Sequence, residues 1–230
     1  MSEEKTTGRR RGLDANKVAE AAKGMAAEKG FDGWRMRDLA KRLDVAPSVI
    51  YHYFPNREAV CDAAMELIAR DIALPPEDLA WKEWFLQTAR NLRAVLLSYN
   101  GAADRLMTNR FPAALIPFLD RYMDRLHEAG FDTMAPFAYA MSINVALGAI
   151  AGRDHRSENE RKSAVDLKET LERIERMGEA SDGMKELVEG FIGPLAEQDA
   201  QGSGGGISDR YFELLMRSVL DGIEMTLPRE

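Results

Sequence analysis

The residues with recognisable chemistry lie between positions 39 and 54, in the stretch LAKRLDVAPSVIYHYF. Leu39, Ala40 and Leu43 recur on one helix face, Asp44 supplies a turn with Val45 packing inward, and Val49 and Ile50 give a second short helix its buried side. Packing one short helix across another leaves the outer face of the second open. Here that face carries Ala46, Pro47, Ser48, His52 and Tyr53, which are small or form hydrogen bonds and so can approach the edges of nucleic-acid bases. The spacing is that of a helix-turn-helix, and an ordinary helical hairpin shares it.

Other chemistries lack their residues. The single cysteine, Cys61, excludes an internal disulfide and every multi-cysteine zinc pattern, and His52, His127 and His155 do not have the spacing of a helical zinc site. There is no nucleophile and base pair and no carboxylate pair at a defined spacing; QGSGGG at 201–206 follows no strand and reads as a linker rather than a phosphate loop. The expectation is a protein with no enzymatic activity, no metal and no cofactor. The opening residues MSEEKTTGRRRG are polar, so no signal peptide is expected and the setting is cytoplasmic. The net charge of −7 conceals a partition: residues 1–60 hold 12 Lys+Arg against 9 Asp+Glu, and the remainder 19 against 29. A mildly basic front on an acidic body suits an anion-binding module, although a charged face is also what solvation alone requires.

Helical periodicity runs through the whole chain, and no strand alternation appears. Asp14 and Gly30 bracket a first helix over 14–29, Leu39 to Leu43 mark a second, a third runs from Pro47 to Phe54, and Asn56 caps a fourth that Pro75-Pro76 closes off. A long helix follows from Trp81 to Asn100-Gly101, with further helices near 104–109, 112–129, 133–152, 160–177, 183–197 and 207–226. The fold class is therefore all-α. Residues 133–152 carry no charge and are long enough to span a bilayer, but Pro136, Ser142, Asn144 and many small residues favour a helix buried in protein, with no membrane partner.

The pattern from the first helix through Gly30-Phe31, W-R-M-R-D-L-A, V-x-x-S-V-I-Y-H-Y-F and P-N-R-E-A-V resembles the tetracycline-repressor (TetR) family of bacterial transcriptional regulators over about residues 12–70. The body resembles the family's tetracycline-repressor subclass more loosely, through W-K-E-W, L-R-A-V-L-L, L-x-E-A-G-F and R-Y-F-E-L-L-M-R-S-V-L-D-G-I-E. The resemblance implies a helix-turn-helix domain over 12–72 and an effector-binding and dimerisation domain over 77–230, preceded by a basic arm at 1–11 whose Arg9, Arg10 and Arg11 suit DNA or mere solubility. It implies Tyr51, Tyr53 and Arg57 on phosphates and Arg37, Pro47, Ser48 and His52 at or near base edges. Physically, the Arg37 fork suits guanine, while tyrosine hydroxyls and the helix start at Asn56-Arg57 suit phosphate. Two departures matter. Arg35 stands where the family has a capping Thr or Ser, losing the cap but offering a cation to a phosphate, and Asp44 stands where the turn commonly has Gly.

The family reading makes the chain a repressor that binds double-stranded DNA at a palindromic operator as a homodimer and lets go when a small, largely apolar effector binds. A regulator without an effector, or an activator, is the nearest alternative. Trp84, Phe85, Met107, Phe111, Phe118 and Met141 are candidates to line an effector cavity, although their spacing equally describes core, and Asn144 is the polar group expected to orient the ligand. The dimer is expected from 133–152 and 207–226, with Gly148, Gly152, Ser218 and Gly222 permitting close approach and Phe212, Leu215, Met216, Val219 and Ile223 filling the seam.

Overall fold

The computed structural model describes residues 13–108, 110–162, 172, 176, 181–195 and 206–227. Every regular element among them is helical. They fall into two compact units, residues 1–129 and 130–230.

The first unit opens with α1 (Ala15–Lys29), where the Asp14 carboxylate accepts the Lys17 N–H at 2.8 Å and Val18, Ala22, Met25 and Ala26 form the buried stripe. Gly30 ends it at φ 74°, in a place where a Cβ would stand 3.1 Å from the Asn100 Cβ, so backbone and space both require glycine. Then come α2 (Met36–Leu43), α3 (Pro47–Tyr53) and α4 (Arg57–Ala69), the last capped by Asn56 accepting from the Ala59 N–H at 2.9 Å. Val60, Ala64 and Ile68 of α4 bury fully, and α1 packs along this helix. Each such Val or Ile contributes about 1.5–3 kcal/mol of burial.

Beyond Pro75-Pro76 run α5 (Trp81–Leu96), α6 (Ala102–Met107), a 3-10 turn (Ala113–Leu115) and α7 (Ile116–Glu128). The single helix expected over 112–129 divides because Pro112 and Pro117 each lack an N–H and suit only the start of a helix. Polar clasps fasten this part. Glu66 accepts from the Ala113 and Ala114 N–H groups at 2.6 and 2.9 Å, satisfying donors that a helix start leaves open. Arg121 binds Glu77 and Glu128, and Arg125 donates to the Leu79 carbonyl at 2.6 Å.

The second unit holds a 3-10 turn (Asp132–Met134), α8 (Ala135–Lys162), α9 (Asp182–Leu187) running on through a π-turn (Val188–Ile192), and α10 (Ile207–Glu224). α8 passes beyond its expected end at Gly152, since an interior glycine costs a helix only about 1 kcal/mol. Segment Asp132–Arg156 is long and apolar enough to cross a membrane by composition, yet its i, i+4 row Ala138, Ser142, Ala146 and Ile150 is buried inside the protein. Phe212, Met216 and Ile223, expected at a seam between copies, are buried on α10, which packs with α8 of the same chain; the apolar stripe is covered by its nearest neighbour. Arg9, Arg10 and Arg11, most of the helix expected over 160–177 and nearly all of the 201–206 linker lie outside the described residues.

Candidate nucleic-acid interface

The helix-turn-helix is built from α2, its turn and α3. Arg35 provides no side-chain cap to α2, as its chemistry dictates, but Asp38 reaches back and accepts the Arg35 N–H at 2.8 Å, half of a capping box that the sequence reading did not credit. Asp44 takes the left-handed conformation (φ 52°, ψ 47°), and the Val45 N–H returns to the Ala40 carbonyl at 3.0 Å, so the turn closes without glycine. Pro47 occupies the first turn of α3. Leu39, Ala40 and Ile50 are buried beneath the pair.

Above this core, Arg35, Arg37 and Lys41 of the α2 segment and Ala46, Pro47, Ser48, Tyr51 and His52 at α3 are exposed. Ser48, Val49, His52 and Tyr53 line an open depression of about 350 Å³, with the His52 and Tyr53 rings edge to face at 5.4 Å. Among the described residues no ion pair involves Arg35, Arg37 or Lys41. Lys41 was missed at the sequence level, although its place four residues after Arg37 puts it on the same face. Its neighbour Arg42 is drawn back to Glu28 of α1 at 2.7 Å, and that hydrogen bond holds the Glu28 carboxyl below its usual range.

The expected phosphate ligands divide. Tyr51 is exposed. Tyr53 donates its hydroxyl to the Leu13 carbonyl at 2.7 Å. Arg57 lies over the Trp34 ring, 4.7 Å from its centroid, and donates to the Trp34 and Phe31 carbonyls and to Glu58. Glu58 and Asp62 in turn hold Arg105 of α6 at 3.0 and 2.8 Å. Cys61 is buried among these groups, and burial pushes its thiol up, so it is a packing residue.

The proposed effector residues differ sharply in exposure. Trp84, Phe85 and Phe118 are buried and join Tyr122 in an aromatic cluster, the Phe85 and Tyr122 rings 4.5 Å apart. Met107, Phe111 and Met141 are exposed in the single chain. Asn144 is exposed too, which corrects the expectation of a buried amide. It stands two residues, and so about 200° of helix, from the inward Ser142, whose hydroxyl donates to the Ala138 carbonyl at 2.7 Å. Among the described residues, four donors in the first unit are buried without an acceptor, Trp34 Nε1, Trp84 Nε1, Arg105 Nε and Arg125 Nε. Of these, Trp84 and Arg125 lie at the aromatic cluster, the Arg125 guanidinium 5.6 Å from the Trp84 ring centroid. No group of metal-binding side chains occurs among the described residues.

Known proteins resemble the chain along nearly its whole length. The model for bacterial regulatory proteins of the tetR family matches residues 18–64, and that for the tetracyclin repressor-like C-terminal domain matches residues 74–227. The class A tetracycline repressor from transposon 1721 of Escherichia coli is 33% identical over 142 residues, 60% of this chain and 66% of that repressor. A single-residue variant of TetR from Acinetobacter baumannii AYE, in complex with minocycline, shares the fold at a TM-score of 0.63 and 24% identity, over 93% of this chain and 97% of that one. BioQ with its natural double-stranded DNA operator does so at 0.52 and 24% identity, over 67% of this chain and 94% of that one. With one model lying on the helix-turn-helix and the other spanning most of the remaining residues, the chain belongs to the tetracycline-repressor family and is a DNA-binding transcriptional regulator, not an enzyme.

Proposed function

We propose that this regulator is a repressor, a cytoplasmic homodimer that binds a palindromic operator and leaves it when a small, largely apolar ligand binds. The observation that carries the reading is the set of uncommitted cations at the helix-turn-helix. Arg42, Arg57, Arg105 and Arg110 are all held by carboxylates, whereas Arg35, Arg37 and Lys41 stand exposed without one among the described residues, in a chain of net charge −7. Phosphates supply the partner that this face lacks. In this reading Arg37, Pro47, Ser48 and His52 meet base edges, while Arg35, Lys41 and Tyr51 meet the backbone. The likeness to BioQ, described with its operator, supports it.

Dimerisation is supported by the outward faces of the second unit. α8 presents Phe137, 62% exposed, with Met141, Asn144 and Gly148; α10 presents Tyr211, Leu214, Ser218, Gly222 and Met225. Around Gly148 and Gly222 a Cβ would meet nothing within 4 Å, leaving room for a helix of a second copy. For the effector, the aromatic cluster and the two orphaned donors beside it favour an apolar ligand that brings an acceptor oxygen, and the likeness to a minocycline-bound repressor supports a small-molecule ligand.

Selection of bound DNA from a random pool by the purified protein tests the central claim. A palindrome with half-sites about one helical turn apart, or a multiple, is the expected product. Failure to enrich any sequence, or enrichment of a site without two-fold symmetry, rejects the reading.

A further inference from the structure

At the end of α3 and the start of α4, two side chains that a helix-turn-helix of this kind would aim at phosphates, Tyr53 and Arg57, are turned into the protein. We infer that Tyr53 and Arg57 are positioning residues, which hold the starts of α1 and α2 and thereby set the angle at which α3 meets DNA, and that phosphate contact falls to other groups on this face. The inference rests on the DNA-binding reading above.

Donor supply is the first reason for Tyr53, and at Arg57 three of the five N–H groups are already committed within the protein. A phenol has one O–H, and that of Tyr53 points at the Leu13 carbonyl, 2.7 Å away, immediately before the Asp14 cap of α1. A phosphate oxygen is an acceptor, so the same proton cannot serve both. Arg57 places its Nε–H on the Trp34 carbonyl at 3.2 Å, one Nη2 hydrogen on the Phe31 carbonyl and one Nη1 hydrogen on Glu58 at 3.3 Å, while its plane stacks on Trp34. Only 25% of its side chain is exposed.

Charge gives the second reason. Glu58 and Asp32 lie 3.3 and 3.8 Å from the guanidinium, so little positive field is left to project toward a polyanion. Arg105, whose side chain is 11% exposed, fastens Glu58 from behind at 3.0 Å.

Placement gives the third. Phe31 and Trp34 bound the loop between α1 and α2, and the Trp34 carbonyl directly precedes Arg35, the capping position of α2. The Phe31 N–H is itself tied to the Asn100 carbonyl at 2.9 Å. Holding both ends of so short a loop fixes where α2 begins, and α2 carries α3 through the Asp44 turn. A bidentate, planar side chain is needed for this; a point charge on a flexible stem does not reproduce it.

The test compares wild-type protein with Arg57→Lys, Arg57→Ala and Tyr53→Phe, using the operator obtained by selection and random DNA across a salt series, with each variant's folding checked by circular dichroism and thermal melting. Folded Arg57→Lys is expected to lose operator affinity as Arg57→Ala does, by about tenfold, the worth of one well-placed base contact. Tyr53→Phe is expected to lose part of the discrimination between operator and random DNA, and all three are expected to keep the wild-type slope of log Kd against log salt. If Arg57→Ala does not fold, Arg57→Lys and Tyr53→Phe decide. The inference is overturned if Arg57→Lys binds as wild type, if Arg57→Ala flattens the slope by about 0.9 for each phosphate that the guanidinium had neutralised, if Tyr53→Phe weakens binding to operator and random DNA by the same factor, or if folded variants keep full discrimination. A wild-type chain that binds no DNA overturns the DNA-binding reading and this inference together.

Discussion

Arg37 and Lys41 stand one turn apart on α2, both exposed and, among the described residues, without a carboxylate partner, but their side chains can do different work. A guanidinium matches the two acceptors of guanine, whereas an ammonium is a compact charge best used on phosphate. Arg37→Ala is therefore expected to relax preference at one operator position at about 1–3 kcal/mol, and Lys41→Ala to weaken every sequence alike and lower the salt slope. Competition with point-mutated operators separates the two, and equal loss on every sequence for Arg37→Ala removes that residue from base reading. The four cations of residues 35–42 were indistinguishable as letters. Folding sorts them, because Arg42 alone comes within 2.7 Å of Glu28, fourteen positions away in the chain.

At the scale of the element, capping decides whether helices as short as α2 and α3 hold their shape, since so few residues cannot sustain a helix on propensity alone. Asp38 supplies to α2 the oxygen that Arg35 cannot, and its i+3 spacing was legible once the start of the helix was known. Asp38→Ala is expected to cost about 0.5–2 kcal/mol of stability, read by urea denaturation. An unchanged midpoint means that the cap contributes nothing. Asp44 was expected to tolerate the turn, and its φ of 52° agrees. The boundaries that shifted, at Ala102, Ile116 and Lys162, lie where a terminus depends on what the helix packs against.

For the whole molecule, the expected two-fold pairing makes Gly222 a point of leverage. Its surroundings are open in the single chain, so Gly222→Arg is expected to leave the fold intact while blocking a second copy. Sedimentation at micromolar concentration is expected to give a monomer, with operator affinity falling because two half-sites are no longer held by one body. A variant that sediments and binds as wild type rejects α10 as the dimer surface. Here the sequence reading was half right. Small residues were placed on faces that are indeed outward, but Phe212, Met216 and Ile223 were assigned to the seam between copies, whereas they are buried and α10 packs with α8 of its own chain.

The amino-acid sequence by itself determined the all-α class, a pair of short helices about a tight turn and the group of residues at its outer face, because each follows from local spacing: apolar positions every three or four residues, prolines in first turns, and an Asp that tolerates a left-handed turn. The wider motif resemblance, not the spacing, set a helix-turn-helix apart from an ordinary hairpin. Tertiary structure alone decided which polar groups are free to meet a partner. Tyr53 finds a carbonyl 40 positions away, Arg57 finds carbonyls 23 and 26 positions away, and Asn144 falls on the outer side of a helix whose inner side carries Ser142. A buried or exposed donor is defined by what the folded chain brings within about 3 Å of it, and one-dimensional spacing carries no record of such neighbours.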